Sequence, residues 1–333
     1  MKNLSKLVFL MTLMTGTMMT FCSNSWMGMW MGLEINLLSI IPLITSQCNK
    51  MESEAAMKYF ITQALASAIF LMTIILVLPL DNLLSKIQTL AINSAILTKM
   101  GAAPFHFWFP EVLEGLNWMN SMLMLTWQKI APMTIFMQTN KSMMFTSTIM
   151  MMAMLVSGLM GINQTSIKKI LAYSSINHMG WMIGAMMTNQ TCCILYLMIY
   201  CLMTANTVYI AKKMNVHLMS QISNSMNNNK MAKLTFVFNF LSMGGIPPFI
   251  GFFPKWIVVN TMINMQMFTT TIVMIISTLM TMFFYIRIAL NSMIMTQTET
   301  SVKTTKISSP TIFKMNIMLL SSLILSPLAP SFI

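Results

Sequence analysis

The sequence predicts an all-α integral membrane protein with about eleven transmembrane helices. Of its 333 residues, 56% are hydrophobic and only 8% are charged, and the mean hydropathy is +0.71. So few polar side chains cannot coat a water-soluble protein of this length. Apolar runs recur from end to end, and spans of about 20 residues joined by short turns account for the helix count. We therefore expect one multi-pass domain over residues 1–333.

The expected spans follow the apolar runs in order. They are 4–21, 26–44, 57–79, 86–107, 121–139, 143–161, 169–188, 191–211, 234–258, 266–290 and 311–330. The first run follows two lysines, as a secretory signal would, but it lacks a small-residue cleavage site and the apolar character continues beyond it, so we interpret it as a span. The Asn- and Ser-rich stretch from Ser220 to Asn229 predicts a polar surface loop.

Lysines are distributed unevenly between the two ends of these spans. If the spans alternate, the side of the amino terminus carries Lys2, Lys6, Lys50, Lys58, Lys168, Lys169, Lys212, Lys213, Lys230, Lys233, Lys303 and Lys306. The opposite side receives mainly Lys86 and Lys141. Positive residues favour the cytoplasmic side, which corresponds to the matrix of a mitochondrion, so we expect the amino terminus there. Topology thus explains the net charge of +12, and nothing favours nucleic-acid binding.

No cofactor-binding or metal-binding motif stands out. The five cysteines lie in or beside apolar runs, and they form neither a C-x-x-C pair nor a ligand set with the three histidines. Ligand patterns for haem or iron-sulfur clusters are not visible, nor is a glycine-rich dinucleotide loop. We therefore expect no redox chemistry within this chain. The 45 methionines and single arginine suggest an AT-rich genome that is read with a mitochondrial code.

Four ionisable side chains lie near the middle of expected spans. They are Glu34, Lys99, Lys129 and His178. A Lys or Asp at the centre of a membrane helix costs about 2.5 to 3.5 kcal/mol on insertion scales, so such groups are expected to face a polar interior and to have a function. The alternative is that Lys129 extends towards the membrane surface and that His178 is a hydrogen-bonded packing residue. For His178 by itself the alternative is favoured.

A proline-containing motif occurs twice at the same internal spacing. G-A-A-P-F begins at residue 101 and is followed by F-P-E, and G-I-P-P-F begins at residue 245 and is followed by F-P-K, an offset of 144 residues. Proline removes a helical hydrogen bond and clashes with the preceding turn, so both spans should be interrupted. Interrupted helices at corresponding positions indicate an internal repeat with an ion path between its copies. Chance matching through an excess of Phe, Pro and Gly is the alternative.

Five motifs together carry a family resemblance. They are W-M-G-L-E-I-N at 30–36, K-M-G-A-A-P-F-H-F-W-F-P-E at 99–111, T-W-Q-K-I-A-P at 126–132, S-S-I-N-H-M-G-W at 174–181 and G-G-I-P-P-F-I-G-F-F-P-K-W at 244–256. They resemble the subunit 2 family of the proton-pumping NADH:ubiquinone oxidoreductase, respiratory complex I, and its insect forms more than its vertebrate ones. The resemblance covers nearly the whole chain.

The resemblance implies an antiporter-like fold with two inverted bundles, each containing a discontinuous helix. It also implies a proton path. Glu34 and Lys99 match an acid-lysine pair, Lys129 matches a central lysine, and Lys255 matches the lysine of the second broken helix. His178 and, as a further candidate, His106 match polar positions between them. Joining or separating Glu34 and Lys99 would then hold or release a proton on Lys99, and waters would carry it onward.

The resemblance further implies a place in a larger assembly. NADH, FMN, iron-sulfur clusters and ubiquinone are expected in other subunits. The expected partners are membrane-arm and accessory subunits and phospholipids such as cardiolipin, and the expected location is the mitochondrial inner membrane. Two other functions stay open at this point. One is a free-standing cation/proton antiporter, and the other is a structural membrane scaffold.

Overall fold

The computed structural model describes residues 2–45, 49–77, 85–139, 142–226, 230–247 and 249–293. Within these ranges the regular secondary structure consists of α-helices joined by short loops, with one isolated β-bridge between Ser166 and Leu218. The all-α class is therefore confirmed. By its contacts the chain divides into two compact units, Met1–Ile149 and Met150–Ile333.

The helices follow one another with short connections. Those of the first unit are α1 Lys2–Cys22, α2 Trp26–Ile44, α3 Lys50–Val77, α4 Ser85–Met100, α5 Trp108–Gly115, α6 Trp118–Leu125 and α7 Trp127–Gln138. α8, Met143–Ile162, runs from the first unit into the second. Those of the second unit are α9 Ile167–Thr188, α10 Gln190–Met214, α11 Met219–Met226, α12 Lys230–Gly244, α13 Phe252–Asn264 and α14 Phe268–Met293.

Six of the described helices are long and apolar enough to cross a membrane. Their spanning segments are Leu4–Cys22, Trp26–Ile44, Lys50–Leu76, Met143–Ile162, Gln190–Met214 and Phe268–Met293. Large apolar side chains such as Leu4, Leu65 and Leu279 are more than 60% exposed, as expected where the solvent is lipid. The chain is thus a multi-pass membrane protein. The count of eleven spans stays a prediction, and the expected span 311–330, Lys303, Lys306 and Lys141 lie outside the described residues.

Two expectations about local structure are wrong. The predicted polar loop from Ser220 to Asn229 instead contains α11, because Gln221 Oε1 accepts hydrogen bonds from the backbone N–H groups of His217 at 2.9 Å and Leu218 at 3.2 Å. The side chain of Ile222 is fully buried, so this short helix has an apolar face that packs. Residues 227–229 lie outside the described ranges.

The expected continuous span 121–139 is also divided, at Thr126. Its hydroxyl donates to the carbonyl oxygen of Met122 at 2.7 Å, and its backbone, at φ −111° and ψ −73°, departs from ideal helical values while staying in the right-handed region. A side-chain hydroxyl that bonds the preceding turn often bends a helix. The division places Lys129 in the first turn of α7.

The two interruptions predicted from the repeated motif are confirmed, although Pro248 itself lies outside the described residues. We call the segment between α4 and α5, residues 101–107, break 1, and the segment between α12 and α13, residues 245–251, break 2. Each begins at a glycine with positive φ, +72° at Gly101 and +85° at Gly245. The inverted relation between two bundles stays a prediction.

Candidate functional site

The backbone of break 1 ends α4 in a Schellman motif, in which a left-handed glycine lets two N–H groups turn back onto the last helical turn. The N–H of Gly101 donates to the carbonyl oxygen of Thr98 at 3.1 Å, and the N–H of Ala102 donates to that of Leu97 at 3.1 Å. The indole N–H of Trp108, at the start of α5, also donates to Thr98 O at 3.1 Å. The helix therefore ends because of the glycine, and the proline follows it.

Lys99 lies in the last turn of α4 and is only 8% exposed. Its carbonyl oxygen accepts from the Gln63 side chain at 3.5 Å, whereas its ammonium makes no hydrogen bond or ion pair within 4.0 Å with another described residue. The side chain lines a cavity inside the first unit. A buried ammonium that faces a cavity is suited to exchange a proton with water there.

Lys129 lines the same cavity and is 3% exposed. Its Nζ lies 5.3 Å from the centroid of the Phe109 ring, a distance at which the negative face of the ring attracts a cation. Phe109 belongs to α5, directly after break 1, so the break places the ring beside the lysine. The volume of the cavity open to the centre of a water molecule is about 20 Å³, which is room for a water.

Neutral polar side chains on three helices form a hydrogen-bonded chain in the wall of this cavity. Tyr59 on α3 donates its hydroxyl to Gln128 Oε1 at 3.4 Å, and Gln128 on α7 donates from Nε2 to Asn36 Oδ1 on α2 at 3.0 Å. Sequence reasoning missed these residues because it singled out side chains that ionise or bind protons, and an uncharged amide does neither. The sequence pointed to them only through their neighbours. Gln128 directly precedes Lys129 in T-W-Q-K-I-A-P, and Asn36 lies two residues after Glu34 in W-M-G-L-E-I-N.

Glu34 lies on α2 and is half-buried. Among the described residues it forms no ion pair with Lys99 within 4.0 Å, although the two charges are close enough to interact electrostatically. Glu34 does not line the cavity that Lys99 and Lys129 share. The structure thus brings the two lysines to one cavity and holds the carboxylate at longer range.

His106 lies within break 1 and is buried. Its Nδ1 is 3.3 Å from the carbonyl oxygen of Pro104, and its ring lies 4.5 Å from that of Phe107. The ring does not line the cavity. Its position in the break is as expected.

Break 2 ends α12 in the same motif. The N–H of Gly245 donates to Ser242 O at 3.0 Å, and that of Ile246 donates to Leu241 O at 3.4 Å. Here the last carbonyls of the helix are bound by a lysine. Lys255, on α13 and 7% exposed, donates from Nζ to Gly244 O at 2.7 Å and to Met243 O at 3.3 Å. A cation at a helix carboxyl terminus is stabilised by the helix dipole as well as by these bonds.

His178 lies on α9 in a buried group of tyrosines within the second unit. Its Nδ1 is 2.9 Å from the hydroxyl of Tyr196, and the rings of Tyr196 and Tyr200 lie 5.9 and 5.1 Å from the imidazole ring. This is the hydrogen-bonded packing environment expected for His178 by itself. A hydroxyl and an imidazole at this distance are also chemically able to exchange a proton, and a role of His178 in a proton path stays a prediction.

Further buried polar side chains of the second unit escaped sequence reasoning. Asn177 donates to the hydroxyl of Thr281 at 3.4 Å, while its Oδ1 has no partner. Asn239 on α12 is fully buried, and neither atom of its amide has a hydrogen-bond partner. Buried polar atoms of this kind usually bind ordered water. In the part of the chain that is described, no three His, Cys, Asp or Glu side chains gather as ligands of a metal ion would.

Comparison with known proteins places the fold in a family. The family model described as "NADH:quinone oxidoreductase/Mrp antiporter, TM" matches residues 23–281. The chain belongs to this family. It is 44% identical over 294 residues to the NADH-ubiquinone oxidoreductase chain 2 of Anopheles gambiae, covering 87% of this chain and 86% of that one. It is 41% identical over 314 residues to the chain 2 of Locusta migratoria, covering 92% and 91%. The resemblance to the subunit 2 family is thereby confirmed.

Two solved structures share the fold. A chain of the respiratory complex I of Thermus thermophilus superposes with a TM-score of 0.87 at 21% identity, covering 98% of this chain and 79% of that one. A chain of the Mrp complex of Dietzia superposes with a TM-score of 0.76 at 16% identity, covering 84% and 59%. At these identities the likeness shows the antiporter-like membrane fold.

Proposed function

We propose that this chain is the chain 2 subunit in the membrane arm of the proton-pumping NADH:ubiquinone oxidoreductase. Its contribution is proton translocation, and NADH oxidation and ubiquinone reduction take place in other subunits, which hold FMN, the iron-sulfur clusters and the quinone. The observation that carries the proposal is the pair of broken membrane helices, each with a buried lysine at its break. Such lysines are costly in lipid, and in this family the function that uses them is ion translocation.

The proposed architecture is a single membrane domain over residues 1–333 with eleven spans in two inverted bundles. The amino terminus lies on the matrix side of the mitochondrial inner membrane, which the lysine distribution supports. The partners are the other membrane-arm and accessory subunits and phospholipids such as cardiolipin. The chain itself holds no metal or cofactor and binds no nucleic acid.

The proposed path is formed by Glu34, Lys99, Lys129, His178 and Lys255, with His106 as a possible further member. Within the first unit, Lys99 and Lys129 exchange protons through water in their common cavity. Moving one charge against about 100 mV costs about 2.3 kcal/mol. Gaining or losing a close carboxylate partner changes the free energy of a charged lysine by a comparable amount, so a moderate change in the distance between Glu34 and Lys99 suffices.

The test is Lys129→Met in the assembled complex of inner-membrane vesicles from cells that carry the edited gene. Because Met fills a similar volume but holds no proton, we expect coupled NADH:ubiquinone turnover and proton pumping to fall at least roughly tenfold, about 1.4 kcal/mol. NADH oxidation by artificial acceptors should be unchanged. Lys129→Arg should be poor as well, since a guanidinium does not release its proton.

Lys213→Met is the matched control. Lys213 also lies near an aromatic ring, 5.8 Å from that of Tyr209, but it is exposed at the end of α10, and its loss should leave pumping intact. An assembled Lys129→Met complex that pumps as the parent does would reject the proposed role of this lysine.

A free-standing cation/proton antiporter is the second candidate, because the family also includes the Mrp antiporters. The size of the purified particle separates the two. An antiporter would be isolated from its native membrane as a small assembly that exchanges cations for protons, whereas the proposed subunit is recovered only within a large complex that oxidises NADH. A structural scaffold whose lysines have no function is the third candidate. The cavity shared by Lys99 and Lys129 and the carbonyl groups bound by Lys255 argue against it.

A further inference from the structure

The hydrogen-bonded chain from Tyr59 through Gln128 to Asn36, which we call the amide strap, joins α2, α3 and α7. Tyr59 and Asn36 are buried and Gln128 is half-buried. All three residues line the cavity that Lys99 and Lys129 share. A hydrogen bond between buried polar side chains restrains the orientation of both partners. The strap is therefore suited to fix the geometry of the cavity wall.

The strap connects the helices that carry the proposed proton-binding groups. Gln128 directly precedes Lys129 on α7, and Asn36 lies two residues after Glu34 on α2. Two residues of a helix that are two positions apart point about 200° apart, and of these two side chains Asn36 lines the cavity and Glu34 does not. A movement of α2 that changes the distance from Glu34 to Lys99 is thus transmitted to the residue next to Lys129.

The strap also sets which hydrogen-bonding groups face the cavity. The Gln128 Oε1 is occupied by the Tyr59 hydroxyl, and the Asn36 Oδ1 is occupied by Gln128. The hydrogen-bonding groups of the two amides that stay available are mainly N–H donors. They bind the lone pairs of a water or of a neutral amine, and they do not bind a charged ammonium. A water held in this way turns its hydrogens away from the strap.

We propose that the amide strap directs proton exchange between Lys99 and Lys129, with Gln128 as the positioning residue. This inference rests on the proposed function. Gln128 itself carries no proton from one lysine to the other. It orients the water that does so, and it keeps α2 and α7 in register while the exchange occurs.

The experiment is Gln128→Met in the assembled complex, measured in inner-membrane vesicles. Removing the amide while keeping its volume should lower coupled turnover roughly fivefold, the effect of one neutral hydrogen bond on a barrier. It should also increase the solvent isotope effect, the ratio of turnover in H2O to that in D2O, because proton transfer becomes slower relative to the other steps. A purely structural role would not change that ratio.

Gln88→Met is the matched control. Gln88 is a buried glutamine of the same unit whose Nε2 donates to Leu76 O at 3.0 Å, and it does not line the cavity. Its replacement should leave the isotope effect at the parent value. Asn36→Leu should reproduce the loss seen with Gln128→Met, and the double variant should lose little more than either single one, because both changes break the same strap.

If Gln128→Met does not assemble, Tyr59→Phe tests the strap instead. It removes one hydroxyl and retains the aromatic ring, whose centroid lies 5.8 Å from that of Trp108. A parent-like turnover and isotope effect in the assembled Gln128→Met complex, or in Tyr59→Phe when the former fails to assemble, overturns the inference. Loss of pumping in Lys129→Met together with that result would reject the strap alone. Unchanged pumping in Lys129→Met would instead reject the proposed role of Lys129, on which the strap depends.

Discussion

Break 1 and break 2 share a pattern of backbone hydrogen bonds and differ in the hydrogen bonds that their lysine ammonium groups make. Three hydrogen bonds recur with an offset of 144 residues, from Gly101, Ala102 and Phe105 in break 1 and from their counterparts in break 2. The carbonyl oxygen of Lys99 and the corresponding one of Met243 are both bound by a side chain. In break 1 the donor is the neutral amide of Gln63, and in break 2 it is the ammonium of Lys255.

The difference shows that the same type of helix end can leave the lysine ammonium available for proton exchange or can use it to cap the helix. Because Gln63 and Trp108 bind the freed carbonyls of α4, the Lys99 ammonium can face the cavity. Lys255 instead combines two roles, since its proton-bearing group also caps a helix. We therefore expect replacement of Lys99 to lower activity alone, and replacement of Lys255 to lower both activity and stability.

The largest effect is expected from Lys255→Met, compared with Lys99→Met. Both variants should lose most coupled turnover, as expected for proton-path residues. Only Lys255→Met also leaves buried carbonyls of Met243 and Gly244 without a donor, at a cost of about 1 to 3 kcal/mol. Heating the solubilised complex and following the release of this chain on native gels measures the difference. Equal release from the two variants would mean that Lys255 has no capping role.

A smaller difference, in proton pumping per turnover, is expected between Gly245→Ala and Gly101→Ala. Both replacements force an alanine into the left-handed region, which costs about 1 to 2 kcal/mol. An added Cβ at Gly245 would also lie 2.9 Å from Lys255 Cδ and 3.0 Å from its Nζ, whereas at Gly101 the nearest atoms, in Phe109 and Trp108, lie at 3.3 Å.

Both alanine variants should therefore lose similar stability, and Gly245→Ala should lose more proton pumping per turnover. The ratio of protons pumped to NADH oxidised in vesicles measures the second effect. If Gly101→Ala lowers that ratio as much as Gly245→Ala does, displacement of Lys255 is not the cause.

The smallest effect is expected from Glu111→Gln, on α5 directly after break 1, at the position that corresponds to Lys255 with the offset of 144 residues. Glu111 pairs with Lys58 at 2.9 Å, but the side chains of Lys58 and Glu111 are 43% and 57% exposed. Exposed ion pairs contribute about 0 to 1 kcal/mol, so assembly, turnover and pumping should stay near the parent values. A severe loss of pumping would show that this position takes part in proton transfer despite its exposure.

The sequence was sufficient for the features that depend on cost in lipid or on backbone chemistry. Lys99 and Lys129 stand out because a charge at membrane depth needs a polar neighbour, and both breaks stand out because glycine and proline end helices. The reason given for the breaks was incomplete, since the helices end at Gly101 and Gly245, where a left-handed residue closes the last turn, and proline only follows.

Features that depend on side-chain contacts between helices could not be predicted in this way. The strap needs Gln128 to meet Asn36, 92 residues away, and the sequence alone does not show which buried amide bonds to which. The capping role of Lys255 depends on how the chain folds back between α12 and α13. The division at Thr126 could not be predicted either, because a threonine hydroxyl bonded to its preceding turn also occurs at Thr17 and Thr73 without dividing the helix.

The carbonyl cap on Lys255 also determines how adjustable its electrostatic support is. The charge that supports Lys99 belongs to a side chain, that of Glu34, which forms no ion pair with it within 4.0 Å and can turn about its own side-chain bonds. The carbonyl groups of Met243 and Gly244 belong to the backbone, so they cannot turn away from Lys255 unless the end of α12 itself changes. The support of Lys99 is therefore adjustable, whereas that of Lys255 is part of the helix end.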